Sequence, residues 1–226
     1  MISTVSFRKI FRKNFIRVKG YVRTVNGKPQ KVRGYRRKLP ANYVQAMREL
    51  ARSQVEYGGE IDFRPDGSYE MTVKKGKDDR IVLEPTPGVE FIYHTHPVVD
   101  KNGKIIESEA ILQRTPSPAD IIIMLKMKDD ENWAIPTVRD FILYKETEKT
   151  PKYSKKLEKQ LMNDYHRIEA ESFSKFLDIK DPKKRDIEQT EWMSQEWENL
   201  LRNKYHIYIK RFKKGQDVII TGKHIK

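Results

Sequence analysis

Two short stretches of the chain contain residue types that bind metal ions. Residues 91–97 (FIYHTHP) form an apolar run that ends in two histidines, His94 and His96, separated by one residue. Ser117 and Asp120 follow at a spacing typical of a helix start. Because alternate side chains of a β-strand point to the same face, both imidazoles are predicted to face one metal ion. Two histidines and one aspartate leave a position of a tetrahedral zinc ion open for water, as a catalytic site requires.

Each of these residues also has an ordinary structural explanation. His94 and His96 could be partly buried imidazoles of a strand that binds no metal. Ser117 suits the N-cap of a helix, and the charge of Asp120 favours a helix N-terminus. The chain contains no cysteine, so a metal site here must use histidine or carboxylate ligands.

The elements that must position these residues follow from the flanking pattern. A helix is predicted from Pro40 onward, because apolar residues recur at helical spacing through residues 44–51. A strand that ends at Phe63 and a return strand at 69–73 flank an Asp-Gly turn, and a further strand is predicted at 137–144. Alternating strands and helices predict an α/β fold.

Hydrolysis at such a metal site needs a general base close to the activated water, and Glu56 and Glu60 are the upstream candidates. With one of them included, the motifs resemble the signature of the JAMM (MPN-plus, Mov34/JAB) zinc metalloproteases, which have prokaryotic and viral relatives. The matching patterns are Glu56-x-x-Gly59-x-Ile61, His94-x-His96-Pro97 and Pro116-Ser117-x-x-Asp120. Glu56 is preferred over Glu60 because Gly59 follows it at the family's spacing.

The resemblance implies both a fold and a set of residue roles. The fold is a mixed, curved β-sheet packed between helices, the cytidine-deaminase-like architecture of that family. His94, His96 and Asp120 would bind Zn²⁺. Glu56 would act as the general base, and Ser117 would stabilise the oxyanion of the tetrahedral intermediate. The segment 97–116 is longer than the family's usual spacing, and its Asn-Gly turn predicts a hairpin. Beside the metal it could act as a lid or substrate clamp, or it could cover apolar core through Ile105, Ile106, Ile111 and Leu112.

The function implied by the resemblance is hydrolysis of an amide or isopeptide bond. The substrate would be a polypeptide or an isopeptide-linked protein, and a deubiquitinase-like activity on ubiquitin-like modifiers is one form of it. Two alternatives stay open: a non-catalytic MPN-type scaffold, and a nucleic-acid-associated or virion-assembly protein that acts through a basic segment.

That basic segment is residues 1–39. The chain carries a net charge of +14, and residues 1–40 contain 13 lysines and arginines but no acidic residue. Asn26-Gly27 predicts a hairpin between two Tyr- and Arg-containing strands. Such a segment could bind nucleic acid or another acidic partner, or it could be a solvated face or dock on an acidic surface.

Three regions are therefore predicted: the basic N-terminal arm (1–39), the catalytic domain (40–150) and a helical C-terminal extension (151–226). Within the extension, Asp181-Pro182 separates two amphipathic helices, and the chain is expected to end in a β-hairpin. No apolar run is long enough to span a bilayer, and the N-terminus does not resemble a signal peptide. We expect a soluble, cytoplasmic protein without membrane contact.

Overall fold

The computed structural model describes the backbone of residues 16–17, 21–25, 28–63, 69–77, 81–83, 89–127 and 132–225, and side chains only within 38–221. These residues form five helices and eleven strands. The helices are α1 (Ala41–Leu50), α2 (Glu107–Leu112), α3 (Pro118–Met127), α4 (Lys155–Lys175) and α5 (Pro182–Asn203). The strands are β1 (Ile16–Arg17), β2 (Tyr21–Val25), β3 (Lys28–Lys38), β4 (Tyr57–Phe63), β5 (Tyr69–Met71), β6 (Lys74–Lys75), β7 (Phe91–His94), β8 (Asn132–Pro136), β9 (Asp140–Lys145), β10 (Tyr208–Lys213) and β11 (Ile219–Ile225).

The larger sheet has seven strands in the order β10-β9-β8-β7-β4-β5, with β6 also paired to β4. β7 and β8 run parallel, and the other neighbours run antiparallel. A parallel pair needs a crossover, and α2 and α3 supply it. The mixed α/β class is confirmed. The predicted strand at 137–144 is β9, shifted by a few residues, and β8 before it was not predicted.

The larger sheet is covered by helices on both faces, because alternate strand residues point to opposite sides. One face packs against α1, with Phe91, Tyr93 and Phe141 in its core. The opposite face packs against α3, α4 and α5, with Ile92 and Ile142 in its core. The sheet between helices agrees with the expected arrangement, while the JAMM topology itself stays a prediction.

A second, four-stranded sheet joins the two ends of the chain. β2 and β3 pair antiparallel, with Val25 opposite Lys28, as the predicted hairpin requires. The turn residues Asn26 and Gly27 lie outside the described residues. β1 pairs with β3 on the same edge as β2, and β11 pairs with β3 on the opposite edge. Part of the N-terminal arm is thus a sheet that the C-terminal strand completes.

The expected C-terminal hairpin is wrong in its pairing. β10 joins the edge of the larger sheet beside β9, whereas β11 pairs with β3 of the smaller sheet. The turn between them contains Gly215 at φ +88°, a conformation that glycine adopts without strain. Ile209 is buried on the face of the larger sheet that packs against α3, α4 and α5, and Ile220 is buried on the α1 face. The two strands therefore contribute apolar residues to different parts of the core.

The two long helices are part of the core rather than an appendage. Leu157, Leu161 and Ile168 of α4 and Trp197 and Leu201 of α5 are buried in the cluster that covers the larger sheet. The boundary predicted at Asp181-Pro182 agrees with the structure, where Asp181 caps α5 and proline starts it, and Ser154 caps α4. Within the described ranges, no helix combines the length and apolarity needed to cross a membrane.

The long segment between the histidines and Ser117 forms a hairpin followed by a helix. Val99 and Ile105 form a β-bridge around a turn that contains Gly103 at φ +76°. Helix α2 follows directly and buries Ala110, which packs with Val98 in a small apolar cluster. This packing favours the alternative that the segment covers apolar core, and its role as a lid or clamp stays a prediction.

Candidate metal site

The two histidines lie at the end of β7, in the centre of the larger sheet. His94 is the last residue of the strand and His96 follows two residues later. Between them Thr95 continues the pairing to β4: its N–H donates to the Tyr57 carbonyl at 2.7 Å, and its Oγ1 accepts from the Tyr57 N–H at 3.0 Å. The chain therefore stays extended, and the two imidazole rings lie 4.8 Å apart on the same side.

Ser117 and Asp120 form the predicted helix start at α3. The Ser117 N–H donates to Asp120 Oδ2 at 2.7 Å, and the Asp120 N–H donates to Ser117 Oγ at 3.2 Å. This reciprocal pair is a capping box, which satisfies two backbone donors at the helix end. It also fixes the carboxylate, so that Oδ1 is left to face His94.

The three predicted ligands converge. Nε2 of His94 lies 2.9 Å from Asp120 Oδ1, and Nε2 of His96 lies 3.7 Å from Asp120 Oδ2. One atom from each of the three side chains lies within 4.8 Å of the others. His94 Nε2 is buried and has no aligned hydrogen-bond partner despite its approach to Asp120. The three ligand atoms lie close enough together for this group to hold a metal ion.

The electrostatics of the site favour the protonation states that a metal requires at His96 and Asp120, but not at His94. Burial lowers the pKa of His96 to about 4, so this imidazole is neutral at pH 7. Burial by itself would raise the pKa of Asp120, but the two histidines and a side-chain hydrogen bond with Ser117 outweigh it and hold that pKa below its usual value. Burial also disfavours charged His94, yet Asp120 and then Glu56 raise its pKa above the ordinary value. A bound cation would compete with that proton.

Glu56 reaches the same face of the sheet. It directly precedes β4, whose register with β7 places Gly58 opposite His94. One step along, Tyr57 and Thr95 are hydrogen-bonded, so Glu56 comes opposite His96, and facing residues of paired strands share a face. Its charge contributes to the raised pKa of His94. Glu60 pairs with Ile92, further from the end of β7.

Two residues of the site were not predicted from the sequence. Gln113, just after α2, forms a hydrogen bond with His96 Nδ1 through its Oε1. Tyr144 of β9 has a buried hydroxyl that finds no hydrogen-bond partner among the described residues, and burial together with Asp120 raises its pKa well above the usual value. Alternation along the predicted strand could have placed Tyr144 on this face beside Ile142. No local pattern identifies Gln113.

A small pocket adjoins the site on the side of His96 and Ser117. Helices α4 and α5 cover it with Tyr165, Met193 and Trp197. The loop below is attached to α5, since Trp197 Nε1 donates to the Pro116 carbonyl at 2.8 Å. The C-terminal helices thus help to hold the loop that leads to Ser117.

No family model matches this chain, and the comparisons with curated proteins and with solved structures give no match either. The resemblance to the JAMM signature therefore depends on the motif residues alone.

Proposed function

We propose that this chain is a zinc-dependent hydrolase of amide or isopeptide bonds, of the JAMM type. The observation that supports it most directly is the convergence of His94, His96 and Asp120 in a buried group. The placement of Glu56 beside that group adds a carboxylate that is not one of the three ligands. Three protein ligands and a nearby carboxylate outside the ligand set are the minimum for hydrolysis at a metal.

Zinc is the metal that suits these donors best. Two imidazoles and one carboxylate are borderline ligands that zinc accepts, and catalytic zinc sites commonly use three protein ligands. Magnesium and calcium prefer sites built from oxygen atoms. The resemblance implies the same metal.

Each residue of the site has its own role in the proposed hydrolysis. Zinc bound to His94, His96 and Asp120 would lower the pKa of a water molecule toward 7. The Glu56 carboxylate would accept a proton during attack and return it to the leaving amine. Ser117 Oγ accepts from the Asp120 N–H, which holds it at the site, and its hydroxyl would donate to the developing oxyanion.

The substrate that we infer is a polypeptide or an isopeptide-linked protein, with ubiquitin-like modifiers as one class. Such substrates supply binding energy far from the scissile bond, which can orient the reacting carbonyl.

The test combines metal analysis with a cleavage panel of peptides, di-ubiquitin and small modifiers. The purified protein should contain about one zinc ion per chain, and His96→Ala should lose most of it because one of three ligands is gone. Glu56→Gln should keep zinc but lose hydrolysis by about 10²- to 10⁴-fold. Glu60→Gln is the matched control and should stay active.

Other outcomes separate the alternatives. If Glu60→Gln is inactive and Glu56→Gln keeps normal activity, the general base is Glu60 and not Glu56. Zinc binding without cleavage of any member of the panel would favour the non-catalytic scaffold.

A second function, binding of nucleic acid, is favoured by the smaller sheet. Strands β1, β2, β3 and β11 together contain nine lysines and arginines and no acidic residue. Lys38, the last residue of β3, forms an ion pair at 2.6 Å with Asp217, which lies outside these strands. Basic side chains on adjacent strands can follow a phosphate backbone, and tyrosines can stack on bases. A virion-assembly role would use the same surface.

This function can be tested by replacing four basic residues of the sheet with glutamine: Arg17, Arg23, Lys31 and Arg33. Affinity for a single-stranded oligonucleotide should fall, and its salt dependence should become shallower by about 0.7 per lost phosphate contact. The control replaces four lysines of α4 and α5: Lys155, Lys156, Lys159 and Lys183. Equal losses of affinity in both variants would mean that binding depends on the net charge of the protein and not on the smaller sheet.

A further inference from the structure

We propose that Gln113 is a positioning residue of the metal site: its side-chain oxygen accepts a hydrogen bond from His96 Nδ1 and so fixes the tautomer that binds metal through Nε2. This inference depends on the proposed metal site. It assigns a role to the segment between the histidines and Ser117 that differs from a lid.

The chemistry of the two groups determines the direction of the hydrogen bond. An amide oxygen can only accept, so Nδ1 of His96 must carry the hydrogen. The neutral imidazole that binds a metal carries one ring hydrogen. Nε2 is then unprotonated, with its lone pair on the side of Asp120. An acceptor on the second ring nitrogen is the usual way in which proteins orient a histidine ligand.

The contact between His96 and Asp120 agrees with this tautomer. Nε2 lies 3.7 Å from Asp120 Oδ2, which is beyond hydrogen-bonding distance. Both atoms are acceptors, and both side chains are largely buried, so they repel unless a cation lies between them. The tautomer fixed by Gln113 therefore prepares the pair for a metal ion.

Gln113 is itself held from both sides along the chain. On the side of α2, its N–H donates to the Glu109 carbonyl at 2.9 Å, and Ile111 is buried. On the other side, Thr115 Oγ1 and Ser194 Oγ of α5 are hydrogen-bonded at 2.8 Å. A residue fixed in this way loses little further freedom when it orients His96, which makes its hydrogen bond effective.

The experiment compares Gln113→Leu, which removes the acceptor at similar size, with Gln113→Glu, which keeps an acceptor oxygen. Zinc affinity is measured by competition with a chelator, using zinc alone. Gln113→Leu should weaken zinc binding by about 10- to 100-fold, as loss of such a partner does elsewhere. Gln113→Glu should bind zinc as tightly as the wild type or more tightly, because a carboxylate increases the basicity of the ring.

The matched control is Gln54→Leu. Gln54 is an exposed glutamine whose Nε2 donates to the Asp100 carbonyl at 2.9 Å, so this change affects the neighbouring hairpin without contacting His96. Zinc affinity should be unchanged. If Gln113→Leu and Gln113→Glu weaken zinc binding equally, the glutamine has only a packing role and the inference is wrong.

Nitrogen NMR of the His96 ring provides a readout that needs no metal. Metal-free wild type should show hydrogen on Nδ1, and Gln113→Leu should shift the ring toward the Nε2 tautomer. If the wild type binds no zinc but carries the hydrogen on Nδ1, the proposed zinc hydrolase is refuted, while the hydrogen bond between Gln113 and His96 is retained. If the wild type binds zinc but its metal-free form carries the hydrogen on Nε2, the role of Gln113 is refuted and the proposed metal site is not.

Discussion

The two sides of the candidate metal site are held in different ways. On the β4 side, Glu56 and His94 are placed by the register of two adjacent strands and by backbone hydrogen bonds such as Thr95 N–H to the Tyr57 carbonyl. On the α5 side, the loop that leads to Ser117 is held by individual side chains, including Trp197.

This difference predicts different sensitivities. A ladder of backbone bonds tolerates most side-chain changes but not a change that separates the strands. A loop held by side chains is weakened by removal of a single partner, because the group left behind is buried and unsatisfied. The predictions below separate the two cases, from the largest effect to the smallest.

The largest effect is expected at Trp197, on the α5 side. Trp197→Ala should lower the free energy of unfolding by about 3–5 kcal/mol, since it leaves a cavity and frees the Pro116 carbonyl. Trp197→Phe keeps most of the packing and should cost about 1–3 kcal/mol for the unsatisfied carbonyl. Denaturant unfolding measures both, and zinc affinity should fall in both. Unchanged zinc affinity in the folded variants would contradict the dependence of this side on α5.

The β4 side should break at Gly59. A Cβ atom there would lie 2.0 Å from the backbone oxygen of Thr72, so strands β4 and β5 would have to separate. Gly59→Ala should cost about 1–3 kcal/mol of unfolding free energy, or more if the strands cannot adjust.

The control on this side is Thr95→Ser, which keeps the hydroxyl that accepts from the Tyr57 N–H. It should cost only about 0.8 kcal/mol for the lost methyl group. Equal costs for the two variants would mean that side chains, not the backbone ladder, position the β4 side.

The smallest effect is expected where α4 meets the end of α5, away from the ligands. Asp164 accepts hydrogen bonds from Lys204 Nζ at 2.6 Å and from the Tyr205 hydroxyl. Asp164→Asn should cost on the order of 1 kcal/mol at pH 7 and leave zinc affinity unchanged. A fall in zinc affinity would show that the α5 side depends on the whole helical hairpin rather than on the contacts near the loop.

The pH dependence of stability checks the same cluster. Burial tends to raise the pKa of Asp164, but the hydrogen bonds from Lys204 and Tyr205 outweigh it and lower that pKa. A lowered folded-state pKa stabilises the protein above the unfolded value, near 3.9, and this contribution disappears as the pH falls through the folded value. The difference between wild type and Asp164→Asn should therefore shrink at acid pH.

Much of the candidate site was predictable because its determinants are local. The spacing of His94 and His96 and the capping pair of Ser117 and Asp120 depend on strand alternation and helix geometry over a few residues. The hairpin between β2 and β3 follows in the same way from an Asn-Gly pair.

The errors concern the partners of elements rather than their existence. β10 and β11 were expected to pair with each other. Instead β10 pairs with β9 and β11 pairs with β3, because the apolar residues of the two strands are buried in different parts of the core. The helices α4 and α5 were recognised as amphipathic, but amphipathicity does not say which surface the apolar stripe covers.

The sequence by itself therefore determined the ligand types, the helix start that presents Asp120 and the uneven distribution of charge, since these depend on short-range geometry and composition. Only the tertiary structure decided that Glu56 lies opposite His96, that Gln113 binds His96 and that both ends of the chain share one sheet. These contacts join residues far apart in sequence. They form because strand register and core packing minimise the exposed apolar surface of the whole chain, which no single stretch encodes.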